Sequence, residues 1–140
     1  MSFEPINPPA LGRPRGFNHG MLAEPGSRLL LVAGQDAAEP EGGVATDDFV
    51  EQFGIALDKA IAVVRAAGGG PESIGRLTLY VTDVATYRAR REALAPVYRE
   101  RMGRHFPAMA LVEVSALVDP RALVEIEATA AIATSPPELP

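Results

Sequence analysis

The run Phe106-Pro107-Ala108-Met109-Ala110-Leu111-Val112-Glu113-Val114, with Leu123-Val124-Glu125-Ile126-Glu127-Ala128 close behind it, constrains the fold more than any other part of the chain. Both segments are rich in apolar and β-branched residues. The turn signal Asp119-Pro120-Arg121 lies between them, so they read as consecutive strands. Their apolar residues fall at both parities, Met109 and Leu111 on one, Val112 and Val114 on the other. Side chains alternate across a strand, so a sheet containing these segments is apolar on both faces and needs a cover on each.

The remaining chain supplies one such cover. Residues 1–14 are proline-rich without periodicity and read as an extended lead-in; Arg15 to Leu22 and Arg28 to Ala33 read as strands, the second ending at Gly34-Gln35. Asp36 to Gly43 is an acidic, Gly/Pro-containing loop with room for a small strand. Asp48 followed by Glu51 marks a capping box. Phe49, Phe53, Leu57, Ala60, Ile61 and Val64 then recur at helical spacing until Gly68-Gly69-Gly70-Pro71 stops the helix. That glycine run follows a helix and lacks the Lys-Ser/Thr of a phosphate loop, so it reads as a helix end. Ile74 to Thr82 is a strand, and Thr86 to Met102 a second helix with Pro96 inside it, where a lost hydrogen bond or a kink is expected. The order β-β-α-β-α-β-β predicts an α+β fold, one mixed sheet with two helices on one face. The other face is then left for another copy of the chain. One domain, 15–133, is expected between the lead-in and a flexible tail at 134–140.

Composition excludes several functions. With no cysteine there is no disulfide, thiolate nucleophile or cysteine-based metal site, which is compatible with a reducing cytoplasm. His19 and His105 have no metal-ligand spacing, and no cofactor motif is present, so neither metal nor cofactor is expected. A net charge of −5 argues against a nucleic-acid partner. Arg88, Arg90, Arg91, Arg99, Arg101 and Arg104 spread around several helix faces instead of forming one stripe. No apolar run approaches a bilayer span, so no membrane partner is expected, and the start of the chain lacks the pattern of a secretory signal.

In this order, Gly16-Phe17-Asn18-His19-Gly20, Val32-Ala33-Gly34-Gln35, Tyr80-Val81-Thr82-Asp83, Phe106-Pro107-Ala108 and Val124-Glu125-Ile126-Glu127-Ala128 resemble the RidA (YjgF/YER057c/UK114) family over roughly Gly16 to Ile132. The resemblance implies a chorismate-mutase-like layout, a homotrimer, small-molecule sites in clefts between subunits, and hydrolysis of enamines or imines of the deaminase type. It also implies roles for particular residues. Glu125 matches a pocket glutamate that positions the attacking water; read without the family, it is a solvated strand residue like Glu127. Leu111 matches the residue whose backbone carbonyl holds that water. Gly34 lets a ligand approach the backbone or simply ends a strand. Phe17 matches a tyrosine and keeps its stacking surface without the hydroxyl, as pocket wall or as core.

Met109 departs from the family pattern, in which an arginine holds the substrate carboxylate. A thioether cannot donate the two parallel hydrogen bonds of a guanidinium, and it suits an apolar or aromatic ligand or a filled pocket. Arg91 falls four residues after Tyr87 and matches a position that reaches toward the cleft of an adjacent subunit, so it either restores a cation or lies on the surface. Two functions follow, a third, the RNA-directed activity also associated with parts of this family, being disfavoured by the acidic charge and the lack of an interleaved aromatic and basic surface. One is an imine or enamine hydrolase whose substrate range is altered by Met109. The other is a non-catalytic small-molecule-binding protein of the same fold.

Overall fold

The computed structural model describes residues 2–134. Six strands and three α-helical segments follow one another: β1 (Phe3–Ile6), β2 (Gly20–Ala23), β3 (Arg28–Gln35), α1 (Phe49–Ala66), β4 (Ile74–Val81), α2 (Val84–Ala89), α3 (Arg91–Met102), β5 (Ala108–Glu113) and β6 (Val124–Ile132). The main sheet has the order β3-β6-β4-β5. In it β6 runs antiparallel to both neighbours, while β4 and β5 are parallel. A parallel pair needs a crossover long enough to return the chain to the same end, and α2 and α3 supply it. The strands consecutive in sequence, β5 and β6, are therefore separated in space by β4.

The α+β layout with helices on one face of a mixed sheet is the one expected. α1 begins where Asp48 accepts the N–H of Glu51 at 2.9 Å. Glu51 does not complete the box; it accepts from the Thr46 hydroxyl at 2.7 Å instead. Phe49, Phe53, Ala56, Leu57, Ala60 and Val64 bury one stripe of this helix against the sheet, where Leu77, Val81, Val124 and Ile126 are buried in turn. Each fully buried leucine or isoleucine there contributes roughly 1.5–3 kcal/mol. Gly68, at φ 96°, takes the left-handed conformation that ends the helix.

Three local readings change. The lead-in is extended, but Phe3–Ile6 is tied down as β1 against β2. The first strand of the domain is shorter than expected, Gly20–Ala23 within Arg15 to Leu22 and one residue beyond. The second helix is interrupted at Arg90, not at Pro96: α3 continues through the proline, whose i−4 carbonyl belongs to exposed Glu92 and can bond to water. Ala38 and Val44 form one isolated bridge in the acidic loop. The tail lies, from residue 135 on, outside the described residues.

The other face of the sheet is covered only at one end, where β1 and β2 lie beside Gly75, Arg76, Ala108 and Thr129; the rest of it is bare. Leu29 and Leu31 on β3 are each 72% exposed and Val112 on β5 is 45% exposed, far above what core-facing strand residues show. Among the described residues no helix is long and apolar enough to cross a membrane.

Candidate functional site

Register decides which candidates can meet. Leu77, Met109 and Ala128 form one row across β4, β5 and β6; Leu79, Leu111 and Ile126 form the next row of the same parity. These rows point toward the helices, where Leu77, Leu79, Ala128 and Ile126 are buried. Thr78, Ala110 and Glu127 make the row between them and point to the other face, as do Tyr80, Val112 and Glu125 in the row beyond Leu79. Met109 and Glu125 therefore belong to opposite faces of the sheet.

On the helix side lies a cavity of about 450 Å³ that takes in four of the six candidates: Phe17, Arg91, Met109 and Leu111. Local chemistry positions each of them. Asn18 donates its backbone N–H to the Pro107 carbonyl and its side-chain amide to the Phe106 carbonyl, which fastens the loop carrying Phe17 to the entry of β5. Asn7 donates to the Asn18 side chain at 2.8 Å, so the first strand's exit supports the same loop. Tyr98 stacks on Phe106 with ring centroids 5.4 Å apart and donates to the His105 carbonyl at 2.6 Å. Burial pushes the Tyr98 phenol well above its ordinary value, so it remains a protonated donor at neutral pH. Arg91 opens α3, and its guanidinium carbon lies 5.5 Å from the centroid of the Tyr87 ring, a cation–π contact made across the helix break at Arg90.

The Leu111 backbone has a second property. The Val114 N–H donates to the Val81 carbonyl, so alternation turns the peptide groups of Val112 and Ala110 toward β4. Those of Leu111 and Met109 face the unpaired edge of the sheet, since β5 is an edge strand.

Gly34 and Glu125 meet on the bare face. The β3–β6 register shifts between Val32 and Gln35, and the position a Cβ of Gly34 would occupy lies 2.7 Å from the Glu125 Oε2 atom. A side chain at this position would have to displace the flexible end of Glu125, and the group that approaches the Gly34 backbone within this chain is the Glu125 carboxylate. Nearby, Tyr80 donates to Glu127 at 2.7 Å; that hydrogen bond, burial and the negative charges of Glu127 and Glu125 hold the phenol above its ordinary value.

Sequence reasoning missed Tyr98, Arg15 and Arg99 in the cavity wall, and the fully buried Gln52. Tyr98 and Arg99 lie in the segment read as the second helix and Arg15 opens the one read as the first strand, with no local signal that these side chains border a cavity. His19 and His105 each bond a backbone carbonyl, of Gly12 and Ile74. Among the described residues no three His, Asp or Glu side chains are grouped to hold a metal ion.

The chain is similar to known proteins over most of its length. A family model described as Endoribonuclease L-PSP matches residues 13–132. A RutC family protein of Pyrococcus horikoshii is 33% identical over 103 residues, 73% of this chain and 78% of that relative. Among solved structures, the Rid family protein YyfB of Yersinia pestis superposes with a TM-score of 0.82 at 32% identity, covering 94% of this chain and 100% of that one. TdcF of E. coli with bound serine gives 0.66 at 25% identity, covering 87% and 92%.

Proposed function

Because the chain belongs to the RidA (YjgF/YER057c/UK114) family, we propose that it is a small-molecule cleft protein that hydrolyses imine- or enamine-type reactive metabolites, with a substrate range set by Met109. The observation that carries this reading is the division of the candidate residues between the two faces of one sheet. Met109 and the outward-facing Leu111 carbonyl stand at the free edge of β5, whereas Gly34 and Glu125 stand on a bare face with exposed Leu29 and Leu31. A cleft that uses all four takes an edge from one copy and a face from the next. Such a contact is heterologous, and it closes into a ring in the homotrimer we propose.

In that cleft the Leu111 carbonyl and the Glu125 carboxylate orient a water molecule. Its oxygen adds to the imine carbon while Glu125 accepts the water proton. That proton passes to nitrogen, giving a carbinolamine; the hydroxyl proton then follows it to nitrogen as the C–N bond breaks, so ammonia leaves and the carbon keeps the oxygen as a carbonyl. The serine bound to TdcF supports an amino-acid-sized ligand in a relative; here methionine replaces the bidentate partner for its carboxylate. The ribonuclease activity in the family model's description is not carried over, because a net charge of −5 disfavours a phosphate backbone.

The test measures ammonia release from freshly generated imines. Wild type should turn over short 2-imino acids weakly and Met109→Arg should raise that rate, because the fork of hydrogen bonds is restored. Glu125→Gln should lower turnover by roughly a hundredfold, with Glu127→Gln as the charge control on the same face. Equal, small effects of both glutamate substitutions would remove the hydrolytic role and leave the second reading, a non-catalytic binding protein. One observation favours that second reading: among the described residues no carboxylate side chain lines the Met109 cavity.

A further inference from the structure

The cavity beside Met109 has a floor and a rim of opposite character. Leu77, Leu79 and Ile126 form the floor, flanked by Phe17 and Tyr87, and the Tyr98 hydroxyl is already engaged with the His105 carbonyl. The rim carries Arg15, Arg91 and Arg99, all exposed. Neighbouring arginines are paired, Arg90 with Asp48 at 3.4 Å and Arg101 with Asp58 at 2.8 Å. Among the described residues no carboxylate stands within ion-pair distance of Arg15, Arg91 or Arg99. Arg91 is moreover held at the mouth by the Tyr87 ring, which leaves the outer edge of its planar fork for an anion.

Volume narrows the ligand further. A three-carbon acid would leave most of about 450 Å³ unfilled. The floor would then hold poorly bonded water, because it offers almost no hydrogen-bond partners. An aromatic ring or a branched aliphatic chain fills the same space and stacks on Phe17 and Tyr87.

The geometry points to a small monocarboxylate with an aromatic or branched apolar body, seated on the Met109 floor with its anion on Arg91. This deepens the reading above and rests on it only for the location of the ligand site, not for the reaction. Arg91 is then the specificity-determining residue: the cation that β5 lacks is supplied from the opposite wall, farther from the floor, and the longer span selects the larger acid.

The test is calorimetric titration of the full chain with 3-phenylpropanoate, the neutral 3-phenylpropanol, propanoate and phenyl phosphate. The aromatic acid should bind at least roughly tenfold tighter than the alcohol or the short acid, the worth of one charge-assisted pair. Arg91→Gln should abolish the preference for acid over alcohol and leave the alcohol's weaker binding in place; Arg88→Gln, on an exposed face of α2, should change neither. Met109→Arg should weaken the aromatic acid by filling the floor and strengthen propanoate. Equal affinity for acid and alcohol, equal losses in the two arginine variants, or tightest binding of phenyl phosphate would each overturn the assignment. The two readings fail separately. Imine hydrolysis without binding of 3-phenylpropanoate removes this inference alone, and Arg91-dependent binding without hydrolysis removes the catalytic reading alone.

Discussion

Replacing Gln52 by leucine should destabilise the protein by about 3 kcal/mol, although the substitution keeps the side chain's approximate size and lies away from the cavity mouth. Gln52 is completely buried in the first turns of α1. Its amide nitrogen donates to the Thr46 carbonyl at 2.8 Å and to the Arg121 carbonyl at 3.1 Å, and its oxygen accepts the Leu123 N–H at 2.8 Å. One side chain thus joins the loop entering α1 to the loop entering β6. Leucine leaves the Leu123 N–H without its partner, at about 1–3 kcal/mol, and the two carbonyls together cost about as much again. The added apolar contact returns about 1 kcal/mol. Urea unfolding at one fixed protein concentration should show a lower midpoint with an unchanged slope, fixed concentration being necessary because assembly adds to apparent stability. Leu123 is two residues before Glu125, so amide exchange at the start of β6 should quicken in the same variant. A loss below about 1 kcal/mol would refute the reasoning, since it would mean that the three groups find other partners at little cost.

Light scattering at micromolar concentration should give about three times the 14.8 kDa chain mass, and Leu31→Lys on the bare face should yield monomers; a wild-type monomer would reject both the ring and the cleft. The Asp119 carboxylate is held below its ordinary value by the N–H groups of Arg121 and Val44. A depressed folded pKa gives stability that is present above the unfolded value of 3.8 and is lost as pH falls through the folded value. Asp119→Asn should therefore be less stable than wild type at neutral pH, with the gap closing below pH 3.8; a gap independent of pH would reject the linkage.

The elements legible in the sequence were those with a strong period. α1 carried its apolar stripe from Phe49 to Val64 and its cap at Asp48; Leu77, Leu79 and Val81 alternated as half of β4 must. The pairing of Phe3–Ile6 was hidden because Glu4 and Pro5 give that segment no strand signature, and only its partner at Gly20–Ala23 makes it one. The break at Arg90 was hidden for the opposite reason: the proline drew the expected defect to Pro96, while no residue near Arg90 is a strong helix breaker. The site was legible as a set of residues but not as an arrangement. Parity assigns faces within a strand, whereas relating Met109 on β5 to Glu125 on β6 needs the register of both against β4, and that is written only in backbone hydrogen bonds.

The position of β6 in the sheet also bears on how the chain is made. The ribosome produces β3, α1, β4 and β5 before it, yet β6 is the strand that β3 and β4 share. Until Val124–Ile132 emerges, those two strands have no common neighbour, and each presents an open ladder of N–H and C=O groups, on β3 beside the outward-facing Leu29 and Leu31. Before then only the β4–β5 pair of the main sheet can form, and the facing edges of β3 and β4 stay open to other chains. Closure comes at once, when one late segment zips into the gap from both sides.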